Sequence, residues 1–280
     1  MEVSRAVVET TALYDRIALS YQRWWAPVIG PAALRLLDMV ASVVASRPSP
    51  VIVDVGAGTG TLARAAVARW SGVRAIAVDP STGMLEVGRA EASRTLEPSA
   101  GRRLTWLTGA AEHVAVADGS ADAVVSSFTL QYLHNRNAAL REAHRILRPA
   151  GAVAVVTWMA SDCPFAPWRL LSALLGELDI ERPPSKETGL FRSLPSAAAL
   201  VRRAGFRDVH AAEGVVEYPW TLDPLVQCTF EMEERELIDS LDGATRRRLE
   251  RLWRRRLARL SDADLRYRDV IAYVSGRRRG

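Results

Sequence analysis

The segment Val51–Trp158 constrains the fold most. Continuous apolar runs at Val51–Val55, Val73–Val78, Leu104–Leu107, Ala121–Ser127 and Val153–Trp158 alternate there with helical stretches. Those stretches fall at about Thr61–Trp70, Thr82–Thr95 and Ala138–Leu147, the last ending at Pro149. Strands apolar on both faces and joined by helices predict a parallel sheet covered on both sides. Upstream, Tyr14, Ile17, Tyr21, Trp24 and Trp25 recur at helical spacing, and a second helical segment with Leu34, Leu36, Leu37 and Val40 is expected after Pro31. Downstream the rhythm changes. Pro164, Pro167, Pro183 and Pro184 bracket a helix around Trp168–Leu178 that reads as an insertion. A helix from Pro195 to Ala204, a turn at Ala204-Gly205-Phe206 and a strand near Asp208–Tyr218 follow. A long helical stretch from Asp223 to about Leu260 precedes the strand-like group Tyr267–Val274.

Composition adds exclusions. At 280 residues, 49% hydrophobic and 25% charged, the chain is neither disordered nor fibrous and is long enough for a full core. Cys163 and Cys228 match no metal or redox spacing. The longest apolar stretch, Ala152–Ala160, is far short of the ~20 residues that span a bilayer. Glu2 and Arg5 open the chain without an apolar signal core, so a cytoplasmic protein is expected. The net charge of +5 is uneven. From Ala244 to Gly280, 13 arginines face Glu250, Asp262, Asp264 and Asp269, so the rest of the chain is net acidic. A nucleic-acid or membrane partner would therefore rest on one helix, in which Leu249, Leu252, Trp253, Leu257 and Leu260 form an apolar stripe among arginines. Such a helix is expected to dock on its own domain, making nucleic acid and membrane unlikely partners. The sequence sets no oligomeric state.

The chemistry-bearing motif is Val53-Asp54-Val55-Gly56-Ala57-Gly58-Thr59-Gly60, between a strand and a helix. Glycines let the chain turn sharply and bring a ligand against bare backbone, and the following helix offers free N–H groups. Asp79 ends the next strand, where a carboxylate can accept both hydroxyls of a ribose. A nucleoside-containing ligand at the C-terminal edge of the sheet follows. A dinucleotide site wants G-x-G-x-x-G, but the sixth position from Gly56 is Thr61.

The G-x-G-x-G spacing with Asp54 ahead of it resembles the fingerprint of class I S-adenosylmethionine-dependent methyltransferases. Further segments agree in order: Gly109-Ala110-Ala111-Glu112, Asp122–Leu133, Leu140–Gly151, Ala204-Gly205-Phe206 with Asp208-Val209, and Tyr267–Ser275. The likeness is greatest to the ubiquinone-biosynthesis-like branch, which acts on small molecules. It implies an α/β, Rossmann-like, seven-stranded and mostly parallel sheet with helices on both faces, an antiparallel last strand and helical lid insertions. The chain then reads as one domain, with a lid at 1–47, a cofactor-binding core at 50–158 and an insertion at 159–194. A C-terminal part at 195–280 carries the helical insertion 223–262.

The resemblance also assigns roles. Asp54 and the backbone of Gly56, Ala57, Gly58, Thr59 and Gly60 would hold the methionine part of S-adenosylmethionine, with Ser126 and Ser127 at its ammonium end. Asp79 would take the ribose. Pro80, Met84, Ala111 and Glu112 would lie on the adenine side, where Ala110 replaces the acidic residue often found. Tyr21 on the lid helix would touch the cofactor carboxylate. Phe128, Gln131 and Tyr132 would face cofactor or substrate.

S-adenosylhomocysteine would be the product, and a hydroxyl or acidic carbon as acceptor would need a base. Among four histidines His134 is the best placed for that, just past the fourth strand. Ser126-Ser127-Phe128-Thr129 stands where methyltransferases of nucleic-acid amines usually carry Asn/Asp-Pro-Pro-aromatic. Trp158, Met159, Phe165, Trp168, Trp220, Phe230 and Met232 offer apolar cover for a small, largely apolar acceptor methylated at O, N or C. The alternatives are a nicotinamide-dependent oxidoreductase and a non-catalytic cofactor-binding or RNA-associated protein that uses the Arg-rich helix.

Overall fold

The computed structural model describes residues 5–161, 165–183 and 189–280. Cys163, Pro164 and Pro184 lie outside the described residues.

Helix α1 (Arg5–Ser20) runs through a π turn at Tyr21–Trp25 into α2 (Ala26–Ala45). Strand β1 (Val51–Val55), α3 (Thr61–Arg69), β2 (Arg74–Asp79) and α4 (Thr82–Thr95) follow. Next come the single turn α5 (Pro98–Gly101), β3 (Leu104–Thr108), β4 (Ala121–Ser127), α6 (Arg136–Ile146) and β5 (Leu147–Trp158). Helices α7 (Ala166–Glu177) and α8 (Leu194–Arg203) precede β6 (Arg207–Pro219). The chain closes with α9 (Leu222–Cys228), a second π turn at Thr229–Glu233, α10 (Arg235–Ser240), α11 (Gly243–Leu257) and β7 (Arg266–Arg277).

The seven strands form one sheet in the order β3-β2-β1-β4-β5-β7-β6. The first five pair in parallel, while β7 is antiparallel to both β5 and β6. This is the Rossmann-like arrangement expected. The order reverses at β1, whose neighbours are β2 and β4, so a crevice opens at the C-terminal ends of these strands. Every residue of β1 is buried, the carboxylate of Asp54 included.

Three segments differ from expectation. No break separates the N-terminal helices, because α2 starts at Ala26 and carries Pro31 inside it. A proline there forfeits a backbone hydrogen bond. Burial of Val28, Ile29, Ala32, Ala33, Leu36, Leu37 and Val40 against the sheet offsets that loss. This long helix, Val8–Ala45, is also apolar and long enough to cross a membrane, although no uninterrupted run revealed it. More than half of its apolar window is buried inside the protein.

The expected helix from Asp223 to Leu260 is divided. Leu241 is extended, and the Asp242 carboxylate accepts the Ala244 and Thr245 N–H groups to start α11 afresh. Finally, β5 begins at Leu147 rather than Val153, with a register shift opposite Ala121–Ala123 that absorbs the Pro149–Gly151 turn.

Basic helix α11 docks. Leu249, Trp253 and Leu257 are buried in the main core, and Arg254 and Arg256 pair with Asp223 of α9 and Glu177 of α7. Trp253→Ala is expected to cost about 3–5 kcal/mol of stability in urea denaturation. A loss below about 1 kcal/mol would mean that the helix does not depend on this packing.

Candidate cofactor and acceptor site

The turn after β1 is built from backbone. Gly56 and Ala57 donate their N–H groups to the Val78 carbonyl, at 2.8 and 3.0 Å. Gly58 donates to Asp79 Oδ2 at 2.7 Å, and Ser81 N–H donates to Oδ1 at 2.9 Å. Asp79 therefore fixes both the turn and the start of α4, whose N-cap is the Ser81 hydroxyl, 3.1 Å from Met84 N. Gly56 and Gly60 have φ of +70° and +73°. A side chain at Gly56 would overlap Thr129, and one at Gly60 would overlap the Trp106 ring.

Lid helix α1 and its π turn are pinned over this crevice. Asp15 Oδ1 accepts the Ser81 hydroxyl at 2.7 Å and the Gly83 N–H at 2.8 Å. The Thr59 hydroxyl donates to Gln22 Oε1 at 2.5 Å, and the Trp24 indole donates to Glu231 Oε2 at 2.8 Å.

Two adjoining cavities lie beneath the lid. The smaller, of about 120 Å³, brings together nine of the residues expected to bind the cofactor, with Phe128 and Tyr132 beside them. Gly56, Gly58 and Ser127 come from the ends of β1 and β4, and Asp79, Pro80 and Met84 from the β2–α4 junction. Ala111 and Glu112 follow β3, and Tyr21 hangs from the lid. The larger cavity, of about 540 Å³, lies under α1, α7 and the second π turn, with Trp25, Trp158, Trp168 and Tyr267 in its walls. Thr10, Tyr14, Tyr21 and Tyr132 border both cavities. Tyr14 packs edge-on against Tyr21 and Tyr132, with ring centroids 6.1 and 5.7 Å away, so a tyrosine partition divides the two spaces.

Of the expected residues, Asp54, Ala57, Thr59, Gly60, Ser126, Gln131 and His134 do not line the smaller cavity. Asp54 is 1% exposed and lies behind the turn, where Oδ2 accepts the Ala63 N–H at 3.2 Å and Oδ1 has no hydrogen-bond partner among the described residues. Ala57 and Gly60 face the β2 carbonyl and Trp106, and Thr59 ties the lid. Ser126, named beside Ser127, donates to the Val55 carbonyl and is likewise used structurally. His134 is exposed and borders neither cavity. Phe128 has φ of +52° and the chain then makes a short helical turn at Leu130–Tyr132, which carries His134 outward.

The sequence reading overlooked Thr10, Thr11 and Leu133 on the smaller cavity. Thr10 and Thr11 sit one helical turn before Tyr14, so the periodicity that marked the tyrosine also held their signal. It also overlooked Arg182, Glu233, Glu234, Glu236 and Asp269 on the larger one.

Burial shapes the electrostatics. It pushes Asp79 up to about 6 against the lowering effect of the Ser81 and Gly58 N–H groups, and Asp54 up to about 7. Glu233 is pushed up to about 7, chiefly by burial and then by the neighbouring Glu234 charge. Tyr14 and Tyr21 are raised by burial as well, so the partition is neutral at ordinary pH.

Known proteins resemble this chain in sequence and in fold. Residues 53–155 match a methyltransferase domain family. The ubiquinone/menaquinone biosynthesis C-methyltransferase UbiE of Caulobacter vibrioides is 32% identical over 141 residues, covering 50% of this chain and 56% of that protein. A malonyl-[acyl-carrier protein] O-methyltransferase of Geobacter sulfurreducens is 34% identical over 169 residues, 60% of each chain. The chain thus spans little more than half the length of these relatives. The crystal structure of the YcgJ protein from Bacillus subtilis superposes with a TM-score of 0.56 at 18% identity, covering 88% of this chain and 98% of that one. The glycine turn on a reversing parallel sheet, closed by an antiparallel last strand, matches the Rossmann-like fold of methyltransferases. In sequence the cofactor-binding core is similar to methyltransferases of the ubiquinone-biosynthesis type.

The raised carboxyls make a prediction. A folded-state pKa above the unfolded value means that the protonated form stabilises the fold. For Asp54 that contribution is full below about pH 4 and is lost as pH rises through about 7. The stability of Asp54→Asn relative to wild type should therefore improve between about pH 4 and pH 8, by up to about 4 kcal/mol, in thermal denaturation without cofactor. A difference independent of pH would show that Asp54 is not desolvated.

Proposed function

We propose that this protein transfers a methyl group from S-adenosylmethionine to a small molecule with a largely apolar body, seated in the larger cavity. One observation carries the reading: a glycine-lined cavity ending in Asp79 meets an aromatic cavity across three tyrosines.

The residues present fit the cofactor. A Cβ at Gly58 would point into contact with Met84 and Tyr21, at 3.7 and 3.9 Å, so bare backbone is what keeps that space open. Asp79 spends one lone pair of each oxygen on backbone and keeps others for ribose hydroxyls. In this reading Asp79 takes the ribose, while the Gly56 and Gly58 backbone with Ser127 and Tyr21 takes the methionine end. Pro80, Met84, Ala111 and Glu112 bound the adenine. Bound S-adenosylmethionine supplies a methyl group activated by a sulfonium.

The rest is done by the chain itself. The lid and the tyrosine partition exclude water and set the approach of the acceptor. Catalysis by His134 has no support in its position, since it borders neither cavity. A cytoplasmic location and a single domain over 1–280 belong to the same reading. The nicotinamide alternative lacks its glycine at Thr61, and the RNA alternative loses its free helix, because α11 is docked.

Calorimetric titration with S-adenosylmethionine and S-adenosylhomocysteine should show binding of both below millimolar concentration. No heat from either at that level would overturn the reading. Asp79→Ala should weaken binding about tenfold or more, because a buried charged acceptor is lost and the turn loses its anchor. Unchanged affinity would remove Asp79 from the ribose role.

A further inference from the structure

The larger cavity is more than apolar. Glu233, Glu234, Glu236 and Asp269 border it, and Arg182 is the one cation among its described lining residues. Most of this charge is already matched. Arg182 Nε pairs with Glu234 Oε1 at 2.7 Å, and Arg16 reaches Glu236 Oε1 at 3.4 Å. Asp269 accepts the hydroxyls of Ser161 and Tyr267.

Glu233 differs. The neutral side chains of Trp168 and Thr229 stand beside it, and among the described residues it makes no ion pair. It ends the π turn Thr229–Glu233, and the Trp24–Glu231 bond fixes this turn to the lid. Around it stand aromatic rings: Trp168 and Trp25 lie with ring centroids 5.4 and 5.7 Å from Tyr267. Ring faces attract cations, and a half-buried carboxylate among them is best satisfied by one. A neutral or anionic guest would leave that carboxylate desolvated and unpaired.

We propose that the methyl acceptor is a primary or secondary amine on an apolar body, bound as its ammonium by Glu233, which then removes the proton that blocks the nitrogen. The proton moves from nitrogen to a Glu233 oxygen, and the N–H bonding pair stays on nitrogen as the attacking lone pair. Glu233 becomes the neutral acid and later returns the proton to water. The inference rests on the methyltransferase reading above. The charged groups facing Glu233 are Glu234 and Arg182, with Glu236 on α10 and Asp269 on β7 further along the wall. Burial holding Glu233 up to about 7 suits exchange of a proton near neutral pH.

The test uses the full chain saturated with S-adenosylhomocysteine and two probes of equal shape, 2-phenylethylamine and 2-phenylethanol, read by tryptophan fluorescence. The amine is expected to bind about tenfold or more tightly than the alcohol. Its affinity should rise between about pH 6 and pH 8 as Glu233 ionises. Glu233→Gln should abolish both the preference and the pH dependence while S-adenosylhomocysteine affinity is unchanged. Equal or tighter binding of the alcohol, no binding of the amine, or a preference retained in the variant would overturn the inference. Should the variant fail to fold, the wild-type preference and its pH dependence decide alone. Absence of S-adenosylhomocysteine binding would sink the methyltransferase reading itself, whereas binding without amine preference would sink only this one.

Discussion

The contact between Asp79 and the Gly58 N–H holds the site together. It joins the ends of β1 and β2 at the point where strand order reverses. The same carboxylate takes the Ser81 N–H, and Ser81 caps α4 and receives Asp15 from the lid. One buried side chain thus orders the glycine turn, the helix behind it and, through Ser81, the cover above it. Both of its oxygens are held by backbone N–H groups, so the group is ordered without a ligand.

Closure of the site depends on elements distant in sequence. Helix α1 meets α4 through Asp15, and the π turn after it meets the second π turn through Trp24 and Glu231. Both π turns therefore face the cavities. Such turns interrupt regular helix bonding and re-aim side chains, and they recur at functional positions. Here one carries Tyr21 to the partition, and the other places Glu233 on the wall of the larger cavity.

Much of the sheet was legible because apolar runs and turns set it locally. The pattern Val51–Val55, glycine turn and Thr61–Arg69 reads directly as strand, turn and helix, and Asp79 falls where strand two must end. Departures arose where tertiary packing outweighed local rules. Pro31 did not divide α2, since its neighbours are buried. The Leu241-Asp242-Gly243 break in the long C-terminal helix did carry a cap signal that periodicity alone hides. In the site, residues next to the motif were readable, but those on covering elements were not. Glu233 lies more than 150 residues from the glycine turn in a stretch that reads as plain helix, and only folding brings it to the aromatic wall. His134 shows the reverse, since nearness to β4 in sequence did not survive the turn at Phe128. Thr59 and Gly60 match the motif yet serve the lid and Trp106, so a motif position does not by itself make a ligand contact.

The central claim is that the cofactor sits between the glycine turn and the lid helix. Hydrogen–deuterium exchange with and without S-adenosylhomocysteine tests it most directly. The account predicts that added ligand slows exchange together at residues 54–60, 79–84 and 109–112 and across the lid at 10–25. Protection confined to other segments, or none at a concentration where binding is saturated, would contradict it.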